Sequence, residues 1–214
     1  MIVAIVNRNA GSARNIVANS LALLRARSGR KVMLIDTAPQ PSPRATNGER
    51  TSAAGQRALT ARAITGRGLS NELELLRLRY NDIVITTEER DTTDSRAALI
   101  SARLVVVPVT PDQVDLASQY QLIARLNAAR MFNPGLRVLF VIVAGRNDPG
   151  AGDMAAVRAY VTQVMAATLA HTVLHTAGAQ HGAGGHAHYA PDAPDCDPHA
   201  ALEMSALYKE IFTA

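Results

Sequence analysis

The chain has 214 residues, 48% of them hydrophobic, with no Trp, which suits a single domain whose core is built from Val, Ile, Leu and Ala. The net charge of +4 is carried by Arg apart from Lys31 and Lys209, a balance compatible with a nucleic-acid partner because Arg neutralises phosphates and releases counterions. No apolar run is long enough to cross a membrane, the first strand has neither a basic leader nor a cleavage site, and the lone Cys196 excludes an intrachain disulfide framework; a cytoplasmic protein with no membrane contact is expected.

In chain order, strand-like runs fall at Ile2–Val6, Lys31–Asp36, Leu59–Ile64, Asp82–Thr87, Leu104–Val109 and Arg137–Val143, with a weaker one at Thr172–His175. Several are unbroken Val/Ile/Leu without alternation, the pattern of strands buried on both faces of a parallel sheet. Helical periodicity occupies Ile16–Arg27, Ser70–Arg79, Ser95–Ala102, Asp112–Ala129, Met154–Ala167 and Pro198–Ile211. Repeated strand–helix alternation predicts a doubly wound α/β fold, with helices on both faces of a mainly parallel sheet and one domain over residues 1–214. Residues 39–56, rich in Pro and small polar residues, and residues 177–197, rich in Gly, His, Ala and Pro, read as flexible loops.

Ligands of such folds bind beyond the carboxyl ends of the strands. Those ends are Asn7–Asn15, Asp36–Gln40, Thr86–Asp94, Pro108–Asp112 and Ala144–Gly150. The first is a small polar loop between a buried strand and a helix. A phosphate loop there needs glycines that let backbone N–H groups wrap the phosphates, a Lys for the terminal phosphates, and a Ser or Thr hydroxyl for Mg²⁺. A helix N-terminus adds its positive dipole end. This loop has one Gly and no Lys.

The strand–loop–helix, followed by "RSGRKVMLIDTAPQPS" (Arg27–Ser42), "YNDIVITT" (Tyr80–Thr87) and "ARLVVVPVTPDQVDLAS" (Ala102–Ser118), resembles the ParA/MinD family of ATPases over roughly residues 1–150. The last helix, "DPHAALEMSALYKEIF" (Asp197–Phe212), resembles that family more weakly. The resemblance implies a P-loop NTPase-like fold, ATP or ADP as ligand and Mg²⁺ as its companion. The family's loop reads K-G-G-x-G-K-[ST]. Counted back from Asp36 without a gap, this chain offers Asn9, Ala10, Gly11, Ser12, Ala13, Arg14 and Asn15, followed by Ile16. Asn9 stands where the family's first Lys crosses to a partner's nucleotide, Arg14 where its second Lys stands, and Asn15 where the Mg²⁺ hydroxyl belongs. Asp36 matches the carboxylate associated with the attacking water and Mg²⁺. The second Asp of that motif is Ala38, and the metal-linked Asp of the later strand is Thr86. Carboxylates reappear just beyond it, at Glu88, Glu89, Asp91 and Asp94.

The resemblance therefore implies a degenerate site, with Asp36 as the catalytic residue, residues 9–16 around the nucleotide, and Asp36 and Glu88 as metal ligands. Arg binds phosphate bidentately but is planar and bulkier than Lys. Phosphoryl transfer depends on positioning and metal charge, and losing one electrostatic donor costs about 3–4 kcal/mol, so ATP hydrolysis is expected to be weak or absent. The implied role is plasmid or DNA partition, or positioning of another large cargo. Three rivals stay open: an active ATPase, a metal-dependent nuclease built on Asp36, Glu88, Glu89 and Asp94, and an inhibitor of a conjugation or secretion apparatus. Non-specific DNA is an expected partner of the basic middle section (Arg44, Arg50, Arg57, Arg62, Arg67, Arg77 and Arg79), beside a protein partner from a partition or transfer apparatus. Asn9 is too short and uncharged to reach another subunit, so an ATP-dependent sandwich dimer is expected to be weak, and a homodimer, if one forms, to use an apolar surface independent of ATP.

All six histidines follow residue 170, among Asp192, Asp195, Cys196 and Asp197. Their spacing fits no standard zinc motif, and zinc is not expected. His171 and His175 have i, i+4 spacing, but "HTVLHT" reads as a strand, where the two stand far apart.

Overall fold

The computed structural model describes residues 1–6, 12–37, 59–64, 68–87, 90–111, 114, 116–175 and 197–213. Its elements are β1 (Ile2–Ile5), α1 (Ser12–Arg27), β2 (Val32–Asp36), β3 (Leu59–Ala63), α2 (Leu69–Arg79), β4 (Asp82–Thr86), α3 (Thr93–Ser101), β5 (Leu104–Val109), α4 (Leu116–Phe132), β6 (Arg137–Ala144), α5 (Ala151–Val161), β7 (Ala167–His175) and α6 (Pro198–Phe212). The seven strands form one sheet in the order β3-β2-β4-β1-β5-β6-β7. Every pairing is parallel. The doubly wound α/β architecture expected from the sequence is the one observed.

The lack of alternation in the central strands has its cause in two cores. Ile2, Ala4, Val6, Met33, Ile35, Ile83 and Ile85 point to the face covered by α2, α3, α4 and α5. Val3, Ile5, Val32, Leu34, Val84, Leu104 and Val106 point to the opposite face, covered by α1 and α6. Side chains alternate along a strand, so both sets must be apolar when both faces are covered. Phe140 and Tyr160 meet edge-to-face at 4.9 Å in the first core, and the Tyr160 hydroxyl donates to Gln119 Oε1 at 3.2 Å.

Several boundaries differ from the sequence reading, among them the start of α1 at Ser12 rather than Ile16. Thr92 caps α3 reciprocally with Ser95, its side chain accepting the Ser95 N–H, so the helix begins at Thr93 rather than Ser95. α4 starts at Leu116 and continues past Ala129 to Phe132. The helical periodicity read through Ala167 stops at Val161, and Ala166, at φ 54, turns the chain into a β7 that starts at Ala167 rather than Thr172. A β-carbon in that left-handed region costs about 1–2 kcal/mol.

The amino ends of the strands are tied by one buried carboxylate. Asp82, the first residue of β4, faces Arg25 Nε at 2.9 Å, Arg30 Nε at 3.0 Å and the Met1 amino group at 3.1 Å. Burial alone raises such a carboxyl; the hydrogen bonds from Arg25 and Arg30 and the amino-terminal charge outweigh it and hold Asp82 below the ordinary carboxylate range. Arg25 also lies 4.5 Å over the Phe212 ring and donates to the Tyr208 hydroxyl, joining α1, β4 and α6.

Candidate nucleotide site

The strand order reverses about β1, which lies between β4 and β5, and the carboxyl ends of β1, β2 and β4 come together there. Asp36 at the end of β2 is directly opposite Thr86 at the end of β4, and Thr86 is opposite Ile5 of β1. α1 begins beside these ends, and its first turn carries no acidic side chain. Its positive dipole end is left uncompensated by its own residues.

Arg14 does not stand out into solvent as a phosphate-seeking cation. It is 8% exposed, and its Nη1 donates to the carbonyl of Thr87. Asp36, 3% exposed, accepts at Oδ1 from the Thr86 hydroxyl at 3.0 Å. Thr37 donates both its backbone N–H and its hydroxyl to the Thr86 carbonyl, each at 3.1 Å, and the Thr87 N–H donates to the Ile5 carbonyl at 3.1 Å. A hydroxyl donor thus stands beside Asp36, where a second carboxylate would have to share a cation with it. Ala13 and Asn15 are half-buried, and Ile16 is buried in the core between α1 and the sheet. Among the described residues, Asn15 Oδ1 and Thr87 Oγ1 are buried without a hydrogen-bond partner, and Asn19 donates to the Asn15 carbonyl at 2.7 Å.

This donor set suits an anion better than a divalent cation. Among the described residues it offers a guanidinium, a helix N-terminus and hydroxyls, but a single carboxylate whose Oδ1 already accepts a hydrogen bond. Asn9, Ala10, Gly11, Ala38, Glu88 and Glu89 lie outside the described residues, as do residues 39–56 and 177–196 and the arginines Arg44, Arg50, Arg57 and Arg67; of Ser12, only its place at the start of α1 is described.

Of the carboxylates read beyond Thr86, the two described ones, Asp91 and Asp94, make other contacts. Asp94 is buried and accepts the Leu69 N–H at 3.3 Å, closing the start of α2. Asp91 takes two hydrogen bonds from Arg96 and lies 3.5 Å from Arg125 Nε. Those bonds from Arg96 hold its carboxyl below the usual range. In the basic section, Arg62 is paired with Glu72 at 3.0 Å and Arg77 donates to the Ser101 carbonyl at 3.3 Å.

Sequence spacing did not reveal a second cluster. His171 and His175 share β7, as expected of a strand. Among the described residues, His175 meets Glu203 and the His199 ring of α6 and Asp148 from the β6–α5 connection. The only local signal was the i, i+4 spacing of His199 and Glu203 on one helix face.

A parallel sheet of this strand order, with α1 following β1 beside the point of reversal, is a P-loop NTPase-like α/β fold. Within that class the fold is of the ParA/MinD type. A plasmid partition protein from Borrelia burgdorferi superposes with a TM-score of 0.64 at 15% identity, over 99% of this chain and 97% of that one. Cobyrinic acid a,c-diamide synthase from Mycobacterium smegmatis, with a bound ATP analogue and magnesium, gives a TM-score of 0.57 at 15% identity, over 74% and 78%. The pNOB8 ParA bound to non-specific DNA gives 0.53 at 13% identity, over 75% and 73%. No protein-family model and no curated relative matches the sequence. Among the described residues, no helix is long and apolar enough to cross a membrane.

Proposed function

We propose that this chain is a ParA/MinD-like protein with a degenerate nucleotide site, acting in plasmid or DNA partition or in positioning another large cargo. The fold it shares with partition proteins supports the role. The observation that carries the degenerate site is the placement of Arg14. Its guanidinium is buried and donates to the Thr87 carbonyl, on the strand end where Thr86 replaces a carboxylate. The Thr87 carbonyl competes with a nucleotide phosphate for the Nη1 donor of Arg14, and a charge-assisted hydrogen bond of this kind contributes about 1.5–3 kcal/mol. ATP or ADP then binds weakly, through the dipole end of α1 and Arg14, and Mg²⁺ adds little. Asp36 is the one carboxylate of the described strand ends placed to orient a water, so any turnover is slow. Non-specific DNA and a protein of the partition or transfer machinery are the partners that follow from this reading.

Calorimetric titration with ATP and ADP, each with and without Mg²⁺, tests the site. The expected result is weak binding of both nucleotides with little Mg²⁺ dependence. Tight, Mg²⁺-dependent ATP binding with robust turnover that Arg14→Ala abolishes would overturn the proposal.

A further inference from the structure

We propose that His175, His199 and Glu203 form a binding site for a first-row divalent transition ion, with Zn²⁺ the best match to the donor set. The site is independent of the nucleotide reading. His175 is the last residue of β7, and His199 and Glu203 stand one turn apart at the start of α6. Glu203 Oε1 faces two imidazole nitrogens at once, Nδ1 of His175 at 2.6 Å and Nδ1 of His199 at 3.0 Å. One donor atom from each of the three residues lies within 4.8 Å of the others. Zn–N and Zn–O bonds of about 2.0–2.2 Å place tetrahedral donors roughly 3.3–3.5 Å apart, so small side-chain rotations suffice to admit the ion.

The surroundings of His175 carry the inference further. Its Nδ1 meets Glu203, and its Nε2 meets Asp148 Oδ1 at 3.2 Å. A neutral imidazole has one N–H and can donate to only one of two carboxylates. An ion on Nδ1 resolves the conflict: Nδ1 gives its lone pair to the metal, and Nε2–H donates to Asp148. That is the carboxylate–histidine–metal arrangement that orients a ligating ring. Glu203 is itself held, because its Oε2 accepts the His175 N–H at 2.8 Å, which presents Oε1 to the two rings. Two imidazoles and one carboxylate select Zn²⁺, Co²⁺, Ni²⁺ or Cu²⁺ over Mg²⁺, which prefers oxygen. His199 is 74% exposed, leaving a fourth position on the solvent side for water or another ligand. The bound ion joins the end of β7 to the start of α6, and because it binds the folded chain it raises stability.

The test uses the full chain, stripped of metal by a chelator and titrated with Zn²⁺ by calorimetry and with Co²⁺ by visible absorption. Three variants accompany it: His199→Ala, Asp148→Asn, and the triple change His181→Ala, His186→Ala and His188→Ala. The wild type and the triple variant are expected to bind one equivalent of Zn²⁺, to give the intense d–d spectrum of four-coordinate Co²⁺, and to melt higher with Zn²⁺. His199→Ala, at an exposed position, should keep its metal-free melting temperature and bind about 100-fold more weakly; Asp148→Asn should bind about 10-fold more weakly. Mg²⁺ should give no signal. Affinity unchanged in His199→Ala, binding lost in the triple variant, or no Zn²⁺ binding at all would each overturn the proposal.

Discussion

Replacing Asp82 by Asn removes the one negative charge shared by Arg25, Arg30 and the amino terminus while keeping the side chain's shape. Removing one partner of a buried ion pair costs about 3–5 kcal/mol, because the other charge is left desolvated. Asp82 is 1% exposed and Arg25 17%, so that pair falls within the range, whereas Arg30 at 44% turns to water and adds little. The expected loss is about 3 kcal/mol, at the lower end because Arg25 keeps the Phe212 ring and the Tyr208 hydroxyl. For a chain of this length that is about 6–12 °C in Tm. Urea unfolding followed by far-ultraviolet circular dichroism reads it as a lower midpoint at unchanged slope. The sign of the pH dependence follows from the lowered folded-state pKa of Asp82. Its contribution is complete above its unfolded value of about 3.9 and disappears as pH falls through the folded value. Wild type and variant should therefore differ by a constant amount from neutrality down to about pH 4–5 and converge below. A loss under about 1 kcal/mol at neutral pH, or a gap that persists undiminished in acid, would refute the view of Asp82 as an ionised buried anchor.

Repairing the loop with Asn9→Lys, Arg14→Lys, Asn15→Thr and Thr86→Asp together should tighten Mg²⁺–ATP binding and raise hydrolysis at least about 100-fold in a coupled phosphate-release assay, since each restored electrostatic donor contributes about 3–4 kcal/mol; unchanged turnover would show that the substitutions are not what limits it. DNA binding, measured by fluorescence anisotropy over a salt series, should be sequence-tolerant and fall with a log–log slope of about −0.9 per phosphate contacted, and undetectable binding at low salt would remove DNA from the proposed partners. Ala166→Gly relieves the positive φ at the entrance to β7 and should stabilise the chain by up to about 1 kcal/mol, seen as a Tm rise of about 2–4 °C; a fall in Tm would mean that the greater unfolded-chain entropy of Gly outweighs the relieved strain.

The sheet was readable from the sequence because burial on both faces writes itself into consecutive apolar residues, as in Leu104–Val109 and Arg137–Val143. β7 was only half readable. Its burial is partial and its first residues continue the periodicity of α5, so the turn at Ala166 left no local mark. At the site, the position of Asp36 followed from its place at a strand end. The contact of Arg14 with Thr87 did not, because it joins residues far apart in sequence through the sheet order. The His175 cluster was hidden for the same reason: its members come from β7, α6 and the β6–α5 connection, and spacing along a chain reports only neighbours on the same element.

The place of β4 has a consequence for how the protein comes into being. β1 and β2 do not touch; each leans on β4, and the other neighbour of β1 is β5. While the chain is still emerging from the ribosome, β2 can find β3, but β1 has no strand to join until residues 82–86 have been made. β1 is thus made well before the strands that seat it, and its apolar residues wait unshielded for β4 and β5. During that interval a nascent-chain chaperone has time to act on it.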